Sequence, residues 1–340
     1  MRQFRTVGIW KVARRRWCSW SLPTRLGLAV GVLGVLIGLA AWYKPDFWKA
    51  TVREGKLPAG SEWREGRQKD SFTFVSFDIL DSPSTHPTGI NDNGDIVGNF
   101  SVSAGRRCFL RKPNSEPMLF DYPGASFTTN ATGINNKGDI VGFYYDASIT
   151  GRKGSPAHGF LRRADGIFES FDYPGTWHTF AHAVNDTGQV VGVYEDDAGV
   201  AHGFLRNSDG SFVPVEHPEG TSTAPFGINN QGEVVGYWRG ARTGDRGFLR
   251  QSNGRFISIE PDPTTSAYPR AINDNGTVVG YTGLGTFLRR KDGTLSLLDH
   301  PACFGGACTM PTGINKRGEV VGQYQVSGEV HGFLAKPVQR

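Results

Sequence analysis

The sequence lacks the motifs that mark the best-known enzyme classes. Gly-x-Ser-x-Gly, a phosphate loop, His-Glu-x-x-His and a dinucleotide fingerprint are all absent. Cysteine is scarce, with four residues in 340. Cys303 and Cys308 frame Cys-Phe-Gly-Gly-Ala-Cys, and a zinc site would want two more Cys or His ligands at suitable spacing, so none is expected there. Outside the cytoplasm a local disulfide is the expected state of that pair. Cys108 stands alone in a strand pattern and reads as a buried thiol.

A basic surface is also missing where nucleic acid would need one. Residues 1–25 carry seven basic side chains and no acid. The remainder holds 30 basic against 32 acidic residues, so the overall excess of +5 belongs to the N-terminus. Nucleic acid is therefore not an expected partner. No cofactor is implied. Asn91-Asp92-Asn93-Gly94-Asp95 has the outline of a calcium loop, but no bidentate Glu follows, so no metal is expected.

Long apolar runs are absent except for one, Leu26 to Tyr43, eighteen uncharged residues. As a helix it spans ~27 Å, close to the ~30 Å hydrocarbon core of a bilayer. Trp17 and Trp20 flank one side and Trp42, Tyr43 and Trp48 the other, as interfacial aromatics do. The basic lead places residues 1–25 (with Cys18) in the cytoplasm, 26–43 in the membrane and the rest in the periplasm or outside the cell. The alternative is secretion after cleavage near Gly38-Leu39-Ala40. Gly27/Gly31 and Gly34/Gly38 give the helix two small-xxx-small pairs through which it could self-associate. Residues 44–70, mixed in charge and poor in aliphatics, read as a linker.

What is abundant is repetition, across residues 71–340. Gly-Ile-Asn-x-x-Gly-x-Val-Val-Gly recurs with its Asn at 91, 135, 185, 229, 273 and 315, followed by His-Gly-Phe-Leu and Phe-Asp-Tyr-Pro. A spacing of about 44 residues falls in the ~40–50 range of propeller blades. The Asn suits the start of a tight turn and the Gly its left-handed position. Four short antiparallel strands, a to d, follow in each repeat. Small residues on strand a (Gly89, Gly133, Ala183, Gly227, Ala271, Gly313) suit a crowded axis. Phe72–Asp78 is a strand d without a, b or c, and Gly313–Phe333 supplies a, b and c without d. Together they complete one unit. The expectation is an all-β, six-bladed propeller with non-covalent closure.

Phrases such as Ala157-His158-Gly159-Phe160-Leu161 and Ala201-His202-Gly203-Phe204-Leu205 resemble the HAF-repeat family of bacterial extracellular proteins. The resemblance covers Phe72–Lys336, departing at Arg107-Cys108-Phe109, Arg246-Gly247-Phe248 and Gly285-Thr286-Phe287. It implies export and brings no catalytic residues.

Positions common to all repeats read as structural. Strand d ends in an acid each time (Asp78, Asp121, Asp172, Glu216, Glu260, Asp299), expected to bond loop amides or the His or Arg of strand c. His217 and His300 read as loop packing. Positions that vary on the loop-rich face are the ligand candidates. At the start of strand a these are His86 and Asn130 with Phe180, Ala224, Tyr268 and Met310. A second set is His182 and Arg270 with Thr88, Thr132, Phe226 and Thr312. Strand alternation is read as giving each set its own side. Tyr144, Tyr194 and Trp238 leave strand b, and Trp177, His178 and His182 make the passage from second to third repeat the richest spot. Aromatics among polar side chains suit a glycan or a peptide. The expected role is a non-enzymatic binding propeller with an unidentified glycan or protein ligand. The alternatives are a carbohydrate-active enzyme (glycoside hydrolase or lyase) using the upper-face carboxylates, and a structural cell-envelope protein.

Overall fold

The computed structural model describes residues 68–338, apart from 70, 81, 104, 126–127, 147–154, 242–243 and 304–307. The expected cytoplasmic segment and anchor, residues 1–43, and nearly all of the linker lie outside the described residues. Among the described residues no helix is long and apolar enough to cross a membrane.

The described chain is all strand and turn, and propeller-like. In the second repeat the strands are Thr129–Ile134, Ile140–Tyr145, Ala157–Arg162 and Phe168–Phe171, paired antiparallel in that order. The same a-b-c-d order recurs in every repeat. Hydrogen bonding joins these units into five sheets rather than six separate ones. The second and third units merge through a single parallel pair, His178 with Ala157. The fifth unit gains a strand, because Gln68–Lys69 runs parallel to Leu295–Leu297. The linker read over 44–70 thus ends two residues into the sheet structure.

Closure is made by Phe72–Phe77, which pairs antiparallel with Glu329–Pro337 from Phe72↔Pro337 to Phe77↔Gly332. Phe72–Phe77 is therefore the outer strand of the last unit, and it covers the edge that Glu329–Pro337 would otherwise expose.

Sequence dictates each unit from its turn outward. Asn91 Oδ1 accepts from the amides of Asn93 (3.0 Å) and Asp95 (2.9 Å), and Gly94 adopts a φ of 83°. At the inner strand, a Cβ on Gly227 would sit 2.9 Å from the Ala271 Cα of the next unit, which explains the small residues there. The strand-c phenylalanines Phe109, Phe160, Phe204, Phe248, Phe287 and Phe333 are fully buried. Each lies under the Gly of Val-Val-Gly. At Gly142 a Cβ would meet the Asn130 carbonyl oxygen at 1.9 Å and Phe160 Cζ at 2.8 Å, so ring and glycine are one packing choice.

Candidate functional site

Three layers of side chains surround the axis. At the turn end, each repeat asparagine donates through Nδ2 to the backbone carbonyl of the next: Asn91 to Asn135 (3.1 Å), Asn135 to Asn185 (3.2 Å), Asn185 to Asn229 (3.2 Å) and Asn229 to Asn273 (3.3 Å). Asn273 to Asn315 (2.9 Å) and Asn315 to Asn91 (3.1 Å) complete the circuit. The residue after each Asn adds a parallel belt. Asp186 Oδ1, for example, accepts from the Asn136 amide at 2.7 Å, and its Oδ2 accepts from Asn136 and Asn230 side chains. Asp92, Asp186 and Asp274 face the axis here, and all three are bound into this belt. Among the described residues no group of His, Cys, Asp and Glu could hold a metal.

The middle layer rests on a bulge. In every unit the pairing of strands a and b skips one residue: Thr88, Thr132, His182, Phe226, Arg270 or Thr312. A bulge re-aims the side chain of its extra residue, and here that direction is the axis. Thr88 donates to the Ala131 carbonyl (2.9 Å), Thr132 to Ala181 (2.9 Å) and Thr312 to Pro87 (2.8 Å). His182 Nδ1 makes the same link to the Pro225 carbonyl at 2.6 Å. The links stop at Phe226, which has no donor, and at Arg270, which turns away. Its Nη2 donates to the Tyr281 hydroxyl (2.7 Å), and its guanidinium carbon lies 4.2 Å from the Phe226 ring centroid.

Above this layer, at the end opposite the asparagines, lies a cavity of ≈ 140 Å³. All six bulge residues line it, with His86, Asn130 and Met310 from the start of strand a and Asn99, Phe143, Tyr281 and Gln323 from strand b. In the first, second and sixth units the two strand-a sets therefore share one side, while Phe180, Ala224 and Tyr268 pack into a neighbouring core cluster. Residues two apart on a strand face the same way, so the separate sides read from alternation are corrected.

The lining holds two guanidiniums, Arg106 and Arg270, and no carboxylate. Burial disfavours the charged form of both histidines. Burial pulls His182 down to about 4, with the Arg270 charge adding to the effect. Burial likewise holds His86 well below the usual imidazole range, against its bond to Gln323. His86 is held by Gln323 Oε1 and Ser84 Oγ, both at 2.8 Å. Asn99 is also spoken for, bonding both ways to the Ala131 backbone at 2.9 Å. Asn130 differs: it is 1% exposed and its Oδ1 has no partner.

Of the sequence-derived candidates, the cavity thus gathers His86, Asn130, His182 and Arg270. The rest are elsewhere. Tyr144 stacks on Tyr122 (3.7 Å, 6°), Tyr194 on Tyr173 (3.8 Å, 10°) and Trp238 on His217 (4.1 Å, 3°). His300 on Tyr324 repeats the arrangement (3.7 Å, 10°). In each case the segment entering a unit lays a ring on that unit's strand b, so Tyr144, Tyr194 and Trp238 are packing residues rather than an open aromatic platform. Tyr268 donates to Asp245 (3.0 Å), itself clamped by Arg239. His178 bonds the Ala157 amide (3.2 Å), and Trp177, half-buried beside it, has an unpartnered Nε1. Residues that sequence reasoning left out, notably Asn99, Phe143, Tyr281 and Gln323, lie on strand b, Phe143 immediately before the chosen Tyr144. The signal was their variation between repeats.

The six strand-d acids each bond a strand-c side chain. The pairs are His331–Asp78, Arg107–Asp121, His158–Asp172, His202–Glu216, Arg246–Glu260 and Thr286–Asp299, all within 3.1 Å. Cys303 and Cys308 form a disulfide, and Cys108 is a buried free thiol.

No protein-family model and no curated protein matches this sequence. Solved structures do. The putative TolB from Agrobacterium tumefaciens aligns with a TM-score of 0.53 at 16% identity, over 80% of this chain and 100% of that one. A Trypanosoma rangeli sialidase aligns with a TM-score of 0.50 at 10% identity, over 79% of this chain and 58% of the sialidase. TolB from Acinetobacter baumannii gives 0.47 at 12% identity, and this chain spans 53% of its length. At such identities the likeness is one of fold, and the chain is an all-β, propeller-like protein.

Proposed function

We propose that this protein is an exported, membrane-anchored binding propeller of six blades, closed by its strand Phe72–Phe77, that takes a ligand in the axial cavity opposite the asparagine circuit. The observation that carries the reading is the break in the middle layer. A repeat that needs only a closed ring would keep its Thr-to-carbonyl link in every unit. Here the link is given up at Phe226 and Arg270, and in the same cavity an acceptor on Asn130 is left without a partner. Such departures are uphill for stability, and sites for ligands are where they accumulate.

Fold alone does not separate binding from catalysis, since the sialidase with a similar fold is an enzyme. The side chains favour binding. Hydrolysis of a glycosidic bond ordinarily uses a pair of carboxyl groups facing the substrate. The cavity lining contains none, and the strand-d acids are engaged by strand c. Export and anchoring rest on the basic N-terminus and the apolar run 26–43.

The test uses the full-length chain in detergent, screened against neutral, acidic and amino sugars, oligosaccharides and peptides, for retention and for turnover. Saturable retention without turnover is expected. Turnover abolished by Asn at one strand-d acid, with unchanged melting, would replace this reading by the enzyme alternative.

A further inference from the structure

We propose that the axial cavity is a recognition site for a small hydroxy-carboxylate of the uronic-acid type, with Arg270 taking the carboxylate and Asn130 a hydroxyl; this rests on the binding reading above and names its ligand class. Arg270 has five N–H donors and uses one, on Tyr281. Among the described residues it meets no carboxylate. Its plane is held by the Phe226 ring and the Tyr281 hydroxyl, so the remaining donors are presented in a fixed fork, the geometry that matches a carboxylate. The position is not one the fold requires for Arg, because the repeat places Thr there three times.

The second half of the ligand follows from Asn130. An acceptor buried without a partner is unfavourable until a donor reaches it. An ammonium donor is a poor choice in this cavity, since two guanidiniums and no acid line it. A neutral hydroxyl carries no such penalty. Phe226 is covered on one face by Arg270 and on the other by His182, so the apolar wall left for the C–H side of a sugar ring is that of Phe143, Met310 and Pro311. The volume of ≈ 140 Å³ is below the ~300–1,000 Å³ typical of drug-sized ligands, so the cavity suits one sugar unit or the end of a chain.

The experiment is calorimetric titration of the full-length chain with D-galacturonate, D-galactose, propionate and inorganic phosphate. Galacturonate should bind at least about 10-fold more tightly than galactose. Arg270→Thr, which restores the repeat's own residue, should weaken galacturonate by about 10- to 100-fold and leave melting unchanged. Asn130→Ala should weaken galacturonate by about 2- to 10-fold without affecting propionate. If galactose binds as well as galacturonate and Arg270→Thr is without effect, the carboxylate assignment is wrong while binding in the cavity stands. Tighter binding of phosphate than of galacturonate overturns it as well. If no sugar, acid or phosphate gives heat or shifts cavity resonances, the binding reading itself falls.

Discussion

The side-chain amide of Asn315 donates to the backbone carbonyl of Asn91 at 3.1 Å, across 224 residues of sequence. It is the same bond that Asn91 makes to Asn135, only 44 residues away. Both residues are buried, and each Oδ1 is already used within its own turn, Asn315 on Glu319 (3.0 Å) and Asn91 on Asp95 (2.9 Å). The asparagine therefore has two duties: one end shapes the hairpin and the other ties that hairpin to its neighbour. Phe72–Phe77 closes the ring at its outer edge and this bond closes it at the axis.

Equal bonds at the join and within the chain predict equal sensitivity. Asn315→Ala and Asn185→Ala should each lower stability by about 1–3 kcal/mol, the price of stranding buried polar partners. Chemical denaturation of the two variants measures it. A harmless Asn315→Ala beside a damaging Asn185→Ala would mean that the ring is not closed at the axis.

Removing residues 1–80 tests the outer closure. Glu329–Pro337 would lose its partner strand along with the contacts of Phe74 to Phe333 and His300. The expected result is aggregation or loss of a single cooperative transition, read by calorimetry and light scattering. Native-like melting of the truncated chain would refute closure by this strand.

His182 gives the domain an acid limb. Its folded-state pKa is depressed to about 4 by burial from a reference of 6.5. Below pH 6.5 the unfolded chain therefore binds a proton that the folded chain refuses. The neutral-state stability is complete above about 6.5 and is lost progressively as pH falls towards 4, by up to about 3 kcal/mol for this group. His182→Thr keeps a donor for the Pro225 carbonyl, as Thr88 and Thr132 show for their own neighbours. This variant should fold and should flatten the stability profile between pH 6.5 and 4, with His86, His217 and His300, each also lowered by burial, contributing to the slope that remains. An unchanged profile would show that His182 is not held neutral.

The turns, the buried phenylalanines and the complementary ends were legible because each is set by residues within one repeat or by the count of strands. What was not legible depends on neighbours a repeat away. Nothing local reveals that the Asn91 Nδ2 reaches the next unit, or that Tyr144 is covered by Tyr122. The variable aromatics looked like a platform because their partners, Tyr122, Tyr173 and His217, lie on crossing segments whose path only the fold fixes. The side on which strand a presents His86 and Thr88 was misassigned; the bulge at Thr88 and a spacing of two place both on the axis. Arg270 was visible as a departure from Thr, but its meaning required the carbonyl links that Thr88, Thr132, His182 and Thr312 make to their neighbours.

Trp238 and Asp172 separate packing from binding. Trp238 is 7% exposed and stacked on His217, so Trp238→Ala removes a large buried ring and should cost about 3–5 kcal/mol. Asp172 is 45% exposed at its side chain and pairs with His158 at 2.9 Å, so Asp172→Asn should cost less than about 1 kcal/mol, as exposed pairs do. Neither residue lines the axial cavity. Where Trp238→Ala still folds at low temperature, its affinity for a cavity ligand should match the parent protein, and Asp172→Asn should match it at any temperature. Thermal melts and titrations on the same samples decide the matter. A Trp238→Ala protein that melts normally but loses ligand would place the binding surface on the strand-b aromatics, away from Arg270 and Asn130.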